Sequence, residues 1–345
     1  MKPTTIKELA ELLNLSPSSV SKAISDSHEI SEQTKAKVKE MAKVCGYVPN
    51  QMARNLKLGK TKSIGVVIPN VRDEFFGMVL HGIEKEASKR KYNLVIHISN
   101  DQSKKEKAGL EALSKGTADG ILISLARETQ CNAKFQHLYQ IIDNGIPVVQ
   151  FDRIHEDLNC DKVSVDDFDG AYQATKHLLE TGCERIAFLS PISETSVGKL
   201  RKEGYLQALA LEQEMVSNPI LINASKHEDC IAAVTNAFRS NQIDGILAAD
   251  ELSAICALNS VHSMGLQVPD DVAVVGFTNG LLAKCSIPSL TTVSQHASLL
   301  GQTAVATLIN RIEGKKKGEE PIHKVIKTEL LVRDTTSRIS RLVTN

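Results

Sequence analysis

The spacing of apolar residues divides the chain into a short helical segment and a longer α/β segment. In the N-terminal segment apolar side chains recur at helical spacing, beginning with Ile6, Leu9, Ala10 and Leu13. From residue 64 onward, short apolar runs alternate with longer amphipathic ones, which indicates repeated βα units around a mainly parallel sheet. The short runs predict eight strands, at 64–68, 94–98, 120–123, 148–151, 186–189, 220–222, 245–248 and 272–276.

Helix-capping signals place two short helices close together at the N-terminus. Thr5 and Glu8 have the spacing of a capping box, which marks the start of the first helix. Asn14 is predicted to end it, because Asn tolerates the left-handed conformation of a tight turn. Ser16 is a good N-cap, and Pro17 suits the first position of the second helix. Two helices this close form a helix-turn-helix pattern.

The second predicted helix has a polar outer face of small side chains, which lets a helix enter the major groove of DNA closely. The exposed positions around its buried Val20 are Pro17, Ser18, Ser21, Lys22 and Ser25. A third helix is predicted to start after the N-cap Ser31 and to end before Gly46. A three-helix module that binds another protein is the alternative interpretation of this segment.

Positive charge is concentrated in this N-terminal segment. Residues 1–60 contain ten Lys or Arg and six Asp or Glu side chains, although the whole chain has a formal net charge of zero. A basic head on an acidic body is typical of a head that contacts phosphate groups. A solvated Lys-rich helix face would produce the same charge count.

Three runs of residues form a specific set of motifs: Thr4-Thr5-Ile6-Lys7-Glu8-Leu9-Ala10, Leu15-Ser16-Pro17-Ser18-Ser19-Val20-Ser21-Lys22-Ala23-Ile24 and Gly46-Tyr47-Val48-Pro49-Asn50. The chain resembles the lactose-repressor (LacI/GalR) family in these runs and along its whole length. The resemblance implies a transcription regulator, with an all-α helix-turn-helix head and a bilobed α/β sensor like the periplasmic binding proteins. Each lobe is expected to be a doubly wound parallel sheet.

The expected organisation is a DNA-binding head at 1–48, a hinge at 49–61 and a bilobed body at 62–345 that binds an effector and forms the dimer. The first lobe is predicted to comprise about 62–158, 281–293 and 320–345. The second lobe is predicted to comprise about 159–280 and 294–319.

The resemblance also implies which residues face DNA. The positions that match base-reading residues are Pro17, Ser18 and Lys22, and those that match positions near phosphates are Thr5, Ser16, Ser19, Ser21 and Thr34. The hinge positions expected at DNA are Asn50, Met52, Ala53 and Leu56. Leu56 matches a residue that wedges into the minor groove, which would kink the duplex. A plain linker whose apolar strip packs on the sensor is the alternative for this segment.

The body repeats itself at a displacement of 122 to 126 residues, which predicts two copies of one α/β lobe. Because ligands of open α/β sheets bind beyond the carboxyl ends of strands, the repeat points to Asp152 and Thr278 as equivalent positions facing a shared cleft. Ser124 and Asp250 follow two other repeated strands, and Asp250 has a second interpretation as a helix N-cap.

The family resemblance adds Asp73, Phe75, Phe76 and Arg201 to the expected effector site. A purely structural ion pair is the alternative for Arg201 and for Asp152. Thr278 stands where the family often has a carboxylate, which removes a strong acceptor for sugar hydroxyls. A sugar is the leading effector on family grounds, and neither its identity nor the sign of its effect on DNA binding follows from the sequence.

Cysteine spacing, the terminal segments and the absence of catalytic motifs bear on location, oligomeric state and the other possible classes of function. The seven scattered cysteines include no C-x-x-C pair, and Met1 to Ala10 contains no apolar core of a signal peptide, so a cytoplasmic location is expected. The tail after Arg333 has no Leu heptad, which favours a homodimer. No cofactor or metal site is expected, and no catalytic motif of the common enzyme classes occurs. The alternatives are a solute-binding protein of a transport system and, with less support, an enzyme.

Overall fold

The computed structural model describes residues 4–47, 60–211, 218–315 and 318–337. The chain forms two compact units, residues 1–61 and 62–345. The predicted hinge positions Asn50, Met52, Ala53 and Leu56 lie outside the described residues.

The first unit contains the three predicted helices, α1 (Ile6–Leu12), α2 (Pro17–Ile24) and α3 (Glu32–Val44). They pack around a small apolar core formed by Leu9, Ala10, Val20, Ala23 and Val38. The predicted ends of α1 and α3 are confirmed, because Asn14 and Gly46 both have left-handed backbones, with φ of 51° and 60°. The chain therefore turns tightly between α1 and α2, as a helix-turn-helix requires.

The second unit contains two six-stranded sheets flanked by helices. Its strands are β1 (Ser63–Ile68), β2 (Asn93–Ile98), β3 (Gly120–Ile123), β4 (Val148–Phe151), β5 (Asp161–Val165), β6 (Ile186–Ser190), β7 (Ile220–Asn223), β8 (Gly245–Ala248), β9 (Ala273–Phe277), β10 (Thr291–Ser294), β11 (His323–Ile326) and β12 (Glu329–Leu331). Its helices are α4 (Glu74–Lys89), α5 (Ser103–Ser114), α6 (Arg127–Cys131), α7 (Gln136–Asp143), α8 (Asp167–Glu180), α9 (Ser196–Leu211), α10 (Cys230–Ser240), α11 (Glu251–Ser263), α12 (Leu281–Cys285) and α13 (Ala297–Ile312).

The two sheets have the same internal order, which confirms the predicted duplication. The first sheet runs β11-β5-β4-β3-β1-β2 and the second β12-β10-β9-β8-β6-β7. The register also repeats, since Ile64 pairs with Gly120 in one sheet and Ile186 pairs with Gly245 in the other. All pairings are parallel except that of β12 with β10, which is antiparallel. All eight predicted strands are present, and β5, β10, β11 and β12 were not predicted.

The predicted limits of the lobes are wrong in several segments, because the chain crosses between the lobes three times. Residues 161–165, assigned to the second lobe, form β5 of the first sheet, and residues 291–293, assigned to the first lobe, lie in β10 of the second. The terminal segment 320–345 is divided, since β11 joins the first sheet and β12 the second.

Two further segments on either side of β10 were also assigned to the wrong lobe. Residues 294–319 were assigned to the second lobe, but α13 buries Leu300, Ala304 and Leu308 in the core of the first. Residues 281–290 were assigned to the first lobe, but Ala283 and Leu290 lie in a core cluster of the second. Apolar packing of these residues therefore decides to which lobe each segment belongs.

Close packing of α4 against α13 depends on two glycines. A Cβ added to Gly82 would lie 2.0 Å from the carbonyl oxygen of Ser298, and one added to Gly301 would lie 2.2 Å from that of Val79. The obstacle in both cases is backbone, which cannot move aside as a flexible side chain would. Gly77, on the same helix as Gly82, has nothing within 4 Å of such a Cβ.

We therefore expect Gly82→Ala to lower the free energy of unfolding by about 1–3 kcal/mol, since the two helices must separate to admit the methyl group. Gly77→Ala is the matched control on the same helix. It should be neutral or stabilising by up to about 1 kcal/mol, because Ala is the better helix former. Urea unfolding followed by circular dichroism measures both, and equal effects of the two substitutions would contradict this account of the helix packing.

Candidate functional sites

The start of α2 is ordered by its own serine side chains. The Oγ of Ser16 accepts a hydrogen bond of 3.1 Å from the backbone N–H of Ser19, which caps the helix. The same Oγ lies 2.9 Å from the hydroxyl of Ser18 and 2.8 Å from that of Ser19. Thr5 caps α1 in the predicted capping box with Glu8. The polar surface of the head is therefore built from the residues that start its helices.

The predicted base-reading residues share one exposed helix. Pro17, Ser18 and Lys22 are exposed on α2. Of the predicted phosphate-proximal residues, Thr5 and Ser16 are exposed, and Ser19, Ser21 and Thr34 are half-buried. All eight positions thus retain accessible surface in the head.

Lys22 forms an ion pair with Glu29, and both side chains are about half exposed. The hydrogen bond from Lys22 holds the pKa of the Glu29 carboxyl below its ordinary value. Exposed ion pairs contribute little to stability, so a phosphate or base can compete with Glu29 for the ammonium group.

A cavity of about 160 Å³ lies between the two lobes at the carboxyl ends of their strands. Residues of the first lobe on its wall are Asn70, Asp73, Phe75, Phe76, Asp101, Arg127, Asp152 and Arg153. Residues of the second lobe are Pro191, Ile192, Val197, Arg201, Lys226, His227, Asp250 and Thr278, and Gln295 lines the cavity where the chain crosses. The small volume and the mixture of charged and apolar groups suit a small polar molecule.

The structure brings together the effector residues predicted from the sequence. Seven of the eight line this cavity: Asp73, Phe75, Phe76, Asp152, Arg201, Asp250 and Thr278. Ser124 lies behind them, and its hydroxyl donates a 3.2 Å hydrogen bond to Oδ2 of Asp152.

Asp152 and Thr278 occupy equivalent positions in the two lobes. The backbone N–H of Asp152 donates to the carbonyl oxygen of Val163 at 3.1 Å, and that of Thr278 donates to the carbonyl oxygen of Val293 at 2.9 Å. Both residues have a positive φ, of 58° and 79°. The same backbone turn therefore ends β4 and β9 at the cleft, and Thr278 supplies a hydroxyl where Asp152 supplies a carboxylate.

The Asp152 carboxyl is buried, with 5% of the residue exposed. Burial raises its pKa from the ordinary 3.8 to about 7, although the charges of Arg153 and Arg201 act in the opposite direction. Among the described residues its one hydrogen-bond donor is Ser124, and it has no ion-pair partner. The structural ion pair considered for Asp152 is thus absent there, and acceptor capacity remains for a ligand.

Arg201 forms the structural ion pair considered for it and also lines the cavity. Its guanidinium lines the cavity and also pairs with the buried Asp167, with Nε 2.8 Å and Nη2 2.6 Å from Oδ1. Nη1 donates to the carbonyl oxygen of Ala249, and the guanidinium carbon lies 4.2 Å from the centroid of the Phe277 ring. These contacts hold Arg201 in one position and use three of its five N–H groups, so two remain for a ligand in the cavity.

Asp250 is a helix N-cap, as the alternative interpretation held. Its Oδ1 accepts from the backbone N–H of Ser253 at 2.8 Å at the start of α11. Nε2 of His227 lies 3.1 Å from both carboxylate oxygens. Burial would raise the pKa of Asp250, but these partners lower it below its ordinary value. Across the cleft, burial and the charge of Asp250 raise the pKa of Asp73.

Sequence reasoning did not select ten other residues on the cavity wall. They are Asn70, Asp101, Arg127, Arg153, Pro191, Ile192, Val197, Lys226, His227 and Gln295. Arg153 ends the run Phe151-Asp152-Arg153 and Gln295 ends the run Leu290-Thr291-Thr292-Val293-Ser294-Gln295. Both runs resemble family motifs, and this signal could have included the two residues. Gln295 accepts a 2.9 Å hydrogen bond from the hydroxyl of Thr278. His227 follows β7 in a segment with no such motif.

The residues that the structure describes contain neither a candidate metal site nor a candidate membrane span. No group of three or more His, Cys, Asp or Glu side chains in that part of the chain is arranged to hold a metal ion. None of the helices described there is long and apolar enough to cross a membrane.

Comparison with known proteins gives consistent results for both units. A model of the bacterial regulatory proteins of the lacI family matches residues 5–50, and a periplasmic binding protein-like domain matches residues 175–336. The ribose operon repressor of Halalkalibacterium halodurans is 32% identical over 335 residues, which cover 96% of this chain and 97% of the relative.

Two solved structures illustrate the likeness of the fold. A lac repressor dimer bound to operator and an anti-inducer has a TM-score of 0.86 at 22% identity, over 97% of this chain and 99% of that one. The complex of the transcriptional regulator CelR with cellobiose has a TM-score of 0.69 at 26% identity, over 96% and 99% of the two chains.

The raised pKa of Asp152 predicts a pH-dependent effect of replacing it. Between about pH 4 and 7 the folded protein holds a proton on this carboxyl that the unfolded chain releases, so the associated stability is lost as the pH rises through 7. Asp152→Asn removes the buried charge and tolerates the positive φ. It should raise the free energy of unfolding at pH 8 by roughly 2–4 kcal/mol and have little effect near pH 4.

Denaturant unfolding at the two pH values measures this difference. Asp143→Asn is the control, because Asp143 is an exposed carboxylate in the same lobe. If the free energy of unfolding rises equally at both pH values, or rises also in the control, then the buried charge of Asp152 is not the cause.

Proposed function

The chain belongs to the lacI family of bacterial regulatory proteins, and from this premise we propose that it is a homodimeric repressor whose operator affinity is set by a sugar bound between its lobes. Like its relatives in the family, it is a DNA-binding transcription regulator and not an enzyme. The observation that carries the proposal is the presence, in one chain, of an exposed polar helix α2 and a cleft lined by the buried Asp152 and the half-buried Asp73 and Asp250.

On the DNA side, α2 is proposed to lie in the major groove. Ser18 and Lys22 are exposed on it and supply donors that base edges accept, whereas Pro17 offers only apolar contact. Lys22 carries its charge as a point donor and lacks the two-pronged geometry of Arg, so it discriminates bases through one strong hydrogen bond. Thr5, Ser16, Ser19, Ser21 and Thr34 are proposed to hold the phosphates around this helix.

The segment 49–61 is proposed as the hinge, with Asn50, Met52, Ala53 and Leu56 at the DNA. A helix formed by so few residues would be marginal in water, so pairing with the second subunit on DNA is proposed to stabilise it. Leu56 is proposed to enter the minor groove as an apolar wedge. Because its target is chromosomal DNA, the protein is proposed to act in the cytoplasm. Its operator is proposed to be pseudo-palindromic, with one half-site for each subunit of the dimer.

In the cleft, the hydroxyl groups of a sugar match the acceptors that the wall presents. Asp73 accepts one hydrogen bond, from the backbone N–H of Phe75, and Asp152 accepts one from Ser124, so both retain acceptor capacity. Phe75 and Phe76 are buried beside them with ring centroids 5.2 Å apart, and they supply an apolar surface for the faces of a sugar ring. The related CelR holds cellobiose, and a 32% identical relative is named for the ribose operon.

The alternative of a solute-binding protein accounts for the bilobed body alone. It assigns no role to the capped helices and exposed polar face of residues 5–47. Deletion of residues 1–60 would leave the function of a transport receptor, solute binding, intact. The same deletion would abolish the function of a regulator, DNA binding.

The experiment that tests the proposal uses the purified full-length protein and fragments of its own chromosome at low ionic strength. The expected result is enrichment of a few sites with a two-fold symmetric pattern. A panel of D-ribose, D-xylulose and cellobiose is then screened by thermal shift, where selective binding raises the apparent stability. A sugar that binds should also change the affinity for the enriched site. Equal retention of all fragments with and without every sugar would overturn the proposal.

Operator affinity is expected to fall steeply with added salt, because Lys and Arg side chains of the head displace counterions from the phosphates. Filter binding between 50 and 200 mM salt measures the slope of log affinity against log salt concentration. An affinity that does not change over this range would contradict DNA binding by the basic head.

Lys22→Gln is expected to relax the preference for one base position in each half-site and to lower affinity about tenfold, since this residue is placed at a base edge. Lys43→Gln is the matched control, because Lys43 is an exposed cation on α3. Selection of binding sites from a randomised library by each variant gives the base preferences. Unchanged preferences in the Lys22 variant would remove this residue from the base-reading set.

A further inference from the structure

The short helix α6 belongs to the first lobe, but two of its side chains reach the second. Nη1 of Arg127 donates hydrogen bonds to the carbonyl oxygens of Pro191, at 3.2 Å, and of Ser225, at 2.8 Å. Nε2 of Gln130 donates to the hydroxyl of Ser196 at 3.1 Å, and the backbone N–H of Ser196 donates back to Oε1 of Gln130 at 3.2 Å. Four hydrogen bonds therefore cross the cleft from this single turn of helix.

The base of α6 is held firmly in the first lobe. The fully buried Glu106 accepts hydrogen bonds from the backbone N–H of Ala126, from the hydroxyl of Thr129 at 2.6 Å and from Nε2 of His137 at 2.8 Å. Oδ1 of Asp101 accepts from the backbone N–H of Arg127 at 2.9 Å. Because Glu106 and Asp101 fix the backbone of α6 in the first lobe, the side chains of Arg127 and Gln130 extend from a rigid support.

The groups contacted on the second lobe belong to its ligand-binding edge. Pro191 follows β6, Ser225 follows β7, and Ser196 is the first residue of α9, the helix that carries Arg201. Arg127 and Pro191 also line the cavity. The cross-lobe bonds thus lie beside the proposed effector, and they are formed by protein atoms alone.

We propose that Arg127 and Gln130 are positioning residues that latch the two lobes together across the cleft through these hydrogen bonds. The latch sets the balance between closed and open sensor on which a bound effector then acts. Its effect on operator binding rests on the function proposed above, but the closure itself does not.

Neither side chain is part of an apolar core, since Arg127 and Gln130 are both half-buried. Their loss should therefore open the cleft without unfolding either lobe. The backbone N–H of Ser196 reports this opening directly, because it stands at the first position of α9, where no carbonyl of the helix can accept it.

The test is amide hydrogen exchange of the full-length, effector-free protein, followed at Ser196 and at the central strands of both sheets. Arg127→Met and Gln130→Leu are each expected to raise the exchange rate at Ser196 about tenfold, which corresponds to about 1.4 kcal/mol. The rates in the central strands should not change. Lys134→Met is the matched control, because it removes an exposed cation from the same lobe, and it should leave the exchange at Ser196 as in the wild type.

A conservative variant separates the latch from a general structural role. Gln130→Glu keeps the acceptor for the Ser196 N–H and loses the amide donor, so its effect should be clearly smaller than that of Gln130→Leu. The proposal is overturned if the exchange rate at Ser196 is unchanged in Arg127→Met, or if exchange in the central strands of both sheets rises as much as exchange at Ser196. It is also overturned if Gln130→Glu and Gln130→Leu raise the exchange rate at Ser196 equally. This experiment uses neither operator nor effector, so failure of the proposed function would be seen separately, in the fragment selection.

Discussion

Parallel strands end at one edge of their sheet, and everything proposed for this sensor depends on two such edges facing one cleft. The duplication provides the second edge with the same strand order and register as the first. Asp152 and Thr278 show how exact the repetition is, because each ends its strand with a positive φ and a backbone hydrogen bond to the neighbouring strand. Side chains far apart in the sequence therefore meet around one cavity.

Some charged groups around this cavity have ion-pair partners among the described residues and others do not. The paired groups are held in place by the protein, and the unpaired ones remain able to bind a ligand. Arg201 is paired with Asp167, and Asp250 with His227, so these groups are held in place by the protein. Asp152 is buried with a single hydroxyl donor, which is costly for a carboxylate. An uncompensated polar group of this kind is what a ligand with hydroxyl donors satisfies, at the expense of stability in the empty protein.

Much of this arrangement is predictable from local sequence signals. Short apolar runs marked eight strands, the repeat identified Asp152 and Thr278, and Asn14 and Gly46 correctly ended their helices. The lobe limits were not predictable, because the division of segments after residue 280 is decided by packing such as that of Leu300 in the first lobe. Arg127 and His227 were missed for a related reason: neither stands in a motif, and only the folded chain brings them to the cleft.

Energetic coupling between the cleft and the DNA-binding head requires that each ligand change the affinity for the other by the same factor. Once a binding sugar and an operator are in hand, the affinity for the sugar is measured by calorimetry with and without saturating operator. We expect a change of about 5- to 150-fold, equal to the factor by which the sugar changes operator affinity. The same sugar affinity in both titrations would show that the cleft and the head are not coupled.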